Sequence, residues 1–148
     1  MSNIEPEDIA LWQEQGHYRL NNGDWEQLIK NPADNEDTEW VGCYAYDVPL
    51  KYLLVEYENL LDELSLKEEH LIKLNEQYKK DKFNIMFIAD IDFKALYGKA
   101  NDKIREHHVT VVCKNIIRER RSLELSIDYL KRYLIFLKTV INSKLHGG

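Results

Sequence analysis

Four carboxylates and three aromatic side chains crowd into one short stretch of this 148-residue chain. Asp34, Glu36, Asp37 and Glu39 lead directly into Trp40, Tyr44 and Tyr46. Carboxylates this close repel one another, and nothing in a folding argument requires them. Their field can speed encounter with a basic partner, and Trp and Tyr are the usual anchors of interfaces. These seven residues are the candidate partner-binding set. The same chemistry admits a sharper reading, in which the acids stand where phosphates would lie and inhibit a nucleic-acid enzyme such as a host defence nuclease.

A second constellation has the opposite sign. Lys114, Arg118, Arg120, Arg121, Lys131 and Arg132 recur along one segment and form a candidate nucleic-acid face. Glu119, Glu124 and Asp128 are interleaved with them, at spacings that suit ion pairs along a helix. A solvated helix surface is therefore the preferred reading, and nucleic-acid binding the lesser one.

Other chemistry lacks its spacing. His107 and His108 are adjacent, so on a helix they point about 100° apart. Cys113 follows His108 by five, and no HExxH or CxxC occurs. Ser65, Ser122 and Ser126 fall inside long helical patterns, and no GxSxG elbow is present. Gly98-Lys99 is not a phosphate-binding loop. The chain is expected to be non-enzymatic, without metal or cofactor. Cys43 and Cys113 make no disulfide framework, and no apolar run reaches membrane-spanning length. The N-terminus has no basic region followed by an apolar run, so a cytoplasmic protein with no membrane partner is expected.

The elements that must carry these residues can be read from pattern. Residues 1–64 hold 15 acidic against three basic side chains, net −12. Residues 65–148 hold 17 basic against 11 acidic, net +6, which together give the −6 of the whole. Residues 1–48 contain all three Trp and read as a small α+β lobe. In it EDIALWQEQ is a short helix opened by Pro6, and HYRL and WVGCYAY are strands. Asn22-Gly23 is a hairpin turn, and DWEQLIK is either helix or strand.

Residues 49–148 read as a long antiparallel helical hairpin with a corner near 89–101. Asp47 and Pro49 mark its start. Leu50, Tyr57, Leu64, Leu71, Tyr78 and Ile85 recur every seven residues, with Leu53, Leu60, Lys67, Leu74, Asp81 and Ile88 three after each. Leu54 and Leu61 widen that stripe. This helix runs to about residue 88, roughly 60 Å, unless FNIMFIA is a short strand. The returning helix repeats Val109, Ile116, Leu123, Leu130 and Leu137. Val112, Glu119, Ser126, Tyr133 and Val140 follow three after, and Cys113, Ile127, Leu134 and Ile141 widen the stripe. Aligning the two seams sets Leu64 against Leu123 and Lys67 near Glu119. At the corner Asp90 or Asp92 caps FKALY, Gly98 ends it, and Asn101 caps the second helix. Phe93, Leu96 and Tyr97 plug the core there. Tyr52, Val55, Ile72 and Phe136 are left outside, which gives a homodimer its apolar contacts.

The stretches DFKALYGKANDKIREHH (Asp92 to His108) and SIDYLKRYLIFLK (Ser126 to Lys138) resemble short coiled-coil proteins of unknown function from phages and prophages of Gram-positive bacteria. The resemblance spans residues 49–143, and Ala100 stands where that family tends to have an Asn. It implies two long helices joined by such a corner, and a phage-type accessory protein acting in the host cytoplasm on a host or phage protein. It implies no catalytic residues.

Overall fold

The structure, a computed structural model, describes residues 18–30 and 38–147. The expected helix at EDIALWQEQ and the carboxylates Asp34, Glu36 and Asp37 lie outside them. The described chain is mainly helical, two long helices joined by a corner, with a small antiparallel sheet ahead of them.

Three strands form the sheet in the order β1 (Tyr18–Asn21), β2 (Asp24–Lys30), β3 (Thr38–Gly42). Asn22 and Gly23 turn the chain between β1 and β2 with φ of 53° and 87°. Two positive φ values in a two-residue loop match the right-handed twist of a hairpin. DWEQLIK is therefore strand: Leu20 pairs with Trp25 and Leu28 with Trp40. Pairing on both edges decides it. The third strand is shorter than the alternation suggests. It stops at Gly42, and Ala45–Asp47 is a 3₁₀ turn.

Helix α1 (Leu50–Phe83) begins one residue after Pro49, whose carbonyl accepts from the Tyr52 N–H at 3.1 Å. Pro49 thus sits just before the first turn rather than inside it, and Asp47 closes the 3₁₀ turn. A single π-helical turn, Asn84–Ile88, extends α1, closed by the Ala89 N–H to the Asn84 carbonyl at 2.7 Å. FNIMFI is helical, not a strand, and Ala89 ends it in an extended conformation. Helix α2 (Phe93–Tyr97) is capped by Asp92, whose Oδ1 accepts from the Ala95 N–H at 3.0 Å. Gly98, at φ 78°, ends it in the left-handed region. Asn101 Oδ1 accepts from the Ile104 N–H at 3.0 Å and caps α3 (Asp102–Val112).

The returning helix is not continuous. It breaks at Cys113, with φ −92° and ψ 14°, and resumes as α4 (Lys114–His146). Four consecutive β-branched residues, Val109 to Val112, precede the break, and such a run weakens helix. The seven-residue phase of the packed face carries on across the break. Val109 and Cys113 are buried while Val112 is exposed. Beyond it the seam is Ile116, Leu123, Leu130 and Leu137 with Cys113, Arg120, Ile127, Leu134 and Ile141; of the expected three-after set, Val112 and Glu119 lie outside. On α1 the expected heptads hold as far as Ile85, but Ile88 is exposed, and Leu54 and Leu61 are exposed and do not widen the stripe.

The chain forms two compact units, and the division between them cuts both long helices. One unit is the sheet with the chain to Leu61 and from Arg132 onward. Its core is Trp25, Val48, Leu53, Leu60, Leu134, Leu137, Val140 and Ile141. A three-stranded sheet cannot bury Trp25 alone, so it shares this unit with the helix ends. Tyr52, expected outside, is half-buried with its ring 5.1 Å from that of Tyr18.

The other unit is Asp62–Lys131. Ile85, Phe93, Val109 and Cys113 form its core at the corner, with Tyr78, Ile91 and Tyr97 packed against them. Tyr97 Oη lies 2.6 Å from His108 Nδ1, and Arg105 donates to the Met86 carbonyl at 3.0 Å, holding the π turn. Leu96 is exposed and does not plug this core. The helices run antiparallel, as Lys67 bonded to Ser126 and His70 paired with Glu119 require. The register differs from the expected one. Lys67 does not meet Glu119; it meets Ser126, two turns further along α4.

Candidate functional site

The sheet and the segment that follows it divide the expected aromatic set. Trp40 lies on β3 beneath the Arg19 guanidinium, 4.2 Å from the ring centre. Arg19 also donates to Glu26 Oε1 at 2.9 Å. Register explains the triad: Arg19 pairs with Glu26, and Glu26 with Gly42, so these side chains share one sheet face with Trp40. Trp40 is thus engaged within the chain.

Among the described residues Tyr44 has no such tie, and it is 80% exposed. It lines an open hollow of about 730 Å³ together with Asp24, Trp25, Glu26, Gly42, Cys43 and Asp47. The Cys43 N–H, bonded to the Trp25 carbonyl at 2.9 Å, carries the β3 ladder one residue further and so fixes the rim. Burial pushes the Cys43 thiol up, and the nearby Asp47 and Glu26 carboxylates add to that rise. The thiol stays protonated at neutral pH, which suits a wall better than a nucleophile. Trp25, 3% exposed, was not singled out from sequence as a wall of this hollow. Its position two after the Asn22-Gly23 turn, on the face opposite Glu26, is the signal that could have found it.

Tyr46 faces elsewhere. With Leu50, Ser143, Lys144 and Gly147 it lines a second open hollow of about 430 Å³. Glu39 is exposed on β3. The described acids that share the hollow with Tyr44 are Asp24, Glu26 and Asp47. This hollow can receive a cation: carboxylates on its walls, an aromatic face at its rim.

The basic set is divided as well. Lys114, Arg118 and Arg121 are exposed and follow one another at four and three, so they share one face of α4. Lys131 and Arg132 are exposed further along. Arg120 does not belong to that face. It is half-buried in the seam, its guanidinium 4.7 Å from the centre of the Tyr78 ring. Among the described residues no three His, Cys, Asp or Glu side chains gather as a metal site, and no helix is long and apolar enough to cross a membrane.

No protein-family model, no curated protein and no solved structure matches the chain.

Proposed function

We propose that this chain is a non-enzymatic protein-binding module that docks a basic partner at the front of its sheet. The observation that carries the reading is Tyr44, whose ring stands in water at the rim of a hollow walled by Asp24, Glu26 and Asp47. A tyrosine there contributes little to the core, and beside carboxylates it is suited to a lysine or arginine side chain. The resemblance of the corner and α4 to phage coiled-coil proteins supports an accessory role toward a host or phage protein. A basic nucleic-acid cleft is one surface such a face fits, so inhibition of a host nuclease remains the specific form of this proposal.

A second reading rests on Lys114, Arg118 and Arg121, three exposed cations on one helix face that suit phosphates. One experiment separates the two. The tagged chain is used to capture partners from a host lysate beside two variants. One carries Asp24→Asn, Tyr44→Ser and Asp47→Asn; the other carries Arg118→Gln and Arg121→Gln. The proposal expects the first variant to lose a protein that the second retains. Loss of captured nucleic acid by the second variant alone supports the helix reading instead.

A further inference from the structure

The middle of the Asp62–Lys131 unit is held differently from its ends. Along the first helix no residue is buried between Leu60 and Ile85, and along the returning one none between Cys113 and Ile127. The seam between is mixed: Leu64, Leu71, Leu74, Ile116 and Leu123 are only half-buried, and polar side chains stand among them. Lys67 bonds the Ser126 hydroxyl, His70 Nε2 lies 3.2 Å from Glu119 Oε1, and Arg120 covers Tyr78. Two polar atoms here, Asn75 Oδ1 and Arg120 Nε, are buried with no hydrogen-bond partner. Each orphan favours an arrangement in which water can reach it.

At this level the helices bury no apolar side chain fully, and the polar contacts have partners on their own helices. Lys67 already has a carboxylate on its own helix, Glu63 at 3.4 Å. Arg120 has Glu124 four residues on, the spacing of an intrahelical pair. The His70–Glu119 pair is half exposed on both sides, so water screens it in either state. The ends behave otherwise. Ile85, Phe93, Val109 and Cys113 close the corner, and Ile127 and Leu130 are buried again beyond the waist.

We infer that the hairpin carries a conformational device: a polar waist, centred on Lys67, Asn75, Tyr78, Arg120 and Ser126, at which the two helices part while the apolar corner stays closed. Such a waist is a local unit of low stability set between more stable ones. Opening it presents Lys67, Arg120 and Tyr78 to solvent, which are otherwise committed to the seam. Polar seam residues also fix which residues face each other, so closure returns to one register.

The test is amide hydrogen exchange on the intact chain. Amides of residues 116–124 are expected to exchange at least tenfold faster than those of residues 128–140 of the same helix, with 64–78 behaving like the former. Lys67→Leu, Asn75→Leu and Arg120→Leu together should close most of that gap. Arg120→Met alone, a milder change that keeps the volume, should narrow it. Equal protection of 116–124 and 128–140 in the native chain overturns the inference. So does a gap that survives the apolar waist or, should that triple variant not fold, one that Arg120→Met leaves as wide.

Discussion

The Arg120 guanidinium lies over the Tyr78 ring inside the hairpin seam, not on the basic face of α4 with Arg118 and Arg121. Its contact is worth about 0.5–2 kcal/mol as a cation–π pair. Against this stands a buried Nε with no acceptor. Replacement by an apolar side chain of similar length removes both terms. Arg120→Met should therefore leave thermal stability unchanged or raise it, by up to about 1 kcal/mol. A loss above about 1 kcal/mol in denaturant melts would show that the arginine holds the seam together.

Core truncation should grade with burial. Leu53 and Leu137 are fully buried, whereas Leu64 is half-buried in the polar waist. Leu53→Ala and Leu137→Ala should each cost about 2–5 kcal/mol. Leu64→Ala should cost clearly less, because less surface returns to water and the waist can relax. Equal losses at Leu53 and Leu64, measured by urea unfolding, would contradict this packing.

Gly98 tests the corner through its backbone alone. A Cβ placed there meets nothing within 4 Å, but φ is 78°. Gly98→Ala should destabilise by about 1 kcal/mol, from the left-handed conformation rather than a clash. Gly98→Asn should lose less, since Asn tolerates that region. A neutral Gly98→Ala would mean that the turn adopts another conformation in solution.

The two thiols predict an alkaline weakening. Burial pushes both Cys43 and Cys113 above their ordinary 9.0, with Asp47 and then Glu26 adding to the first and Asp81 to the second. Below pH 9.0 both states hold the proton and the thiols add no pH dependence. Above it the unfolded chain loses the proton first, so stability falls as pH rises toward the folded values. Melting temperature should drop above about pH 9, and Cys113→Ala should remove part of that drop. A native chain and a Cys113→Ala chain with identical slopes would show that the buried thiol plays no part.

Much of the helical frame was legible because it rests on local chemistry. Heptads from Leu50 to Ile85, the caps at Asp92 and Asn101 and the left-handed Gly98 each follow from one residue type at one position. The seam of α4 was only half legible. The seven-residue repeats that begin at Val109 and Cys113 continue unchanged to Leu137 and Ile141, but Arg120 sits in the second of them as a charge that reads as surface, and Val112 sits outside as an apolar residue that reads as seam. The pairing of Lys67 with Glu119 failed for a related reason: two seam charges look complementary on paper, but Ser126 and Glu63 are what Lys67 reaches. At the front, alternation from Trp40 to Tyr46 suggested one strand. The 3₁₀ turn after Gly42 instead sends Tyr44 and Tyr46 to different hollows, and so divides the expected aromatic patch. Asp24 meets Tyr44 only through the pairing of β2 with β3, and Asp47 only because the 3₁₀ turn folds it back on Tyr44, its N–H bonded to the Tyr44 carbonyl at 2.9 Å.

The central claim, that carboxylates around Tyr44 steer a basic protein partner, is tested most directly by association rates at two ionic strengths. The partner captured by the native chain is mixed with that chain and with an Asp24→Asn, Asp47→Asn variant of equal melting temperature. Steering predicts slower association for the variant, with the larger deficit at low salt, where the Debye length is about 30 Å at 0.01 M against about 8 Å at 0.15 M. Rates that match the native chain at both ionic strengths would contradict it.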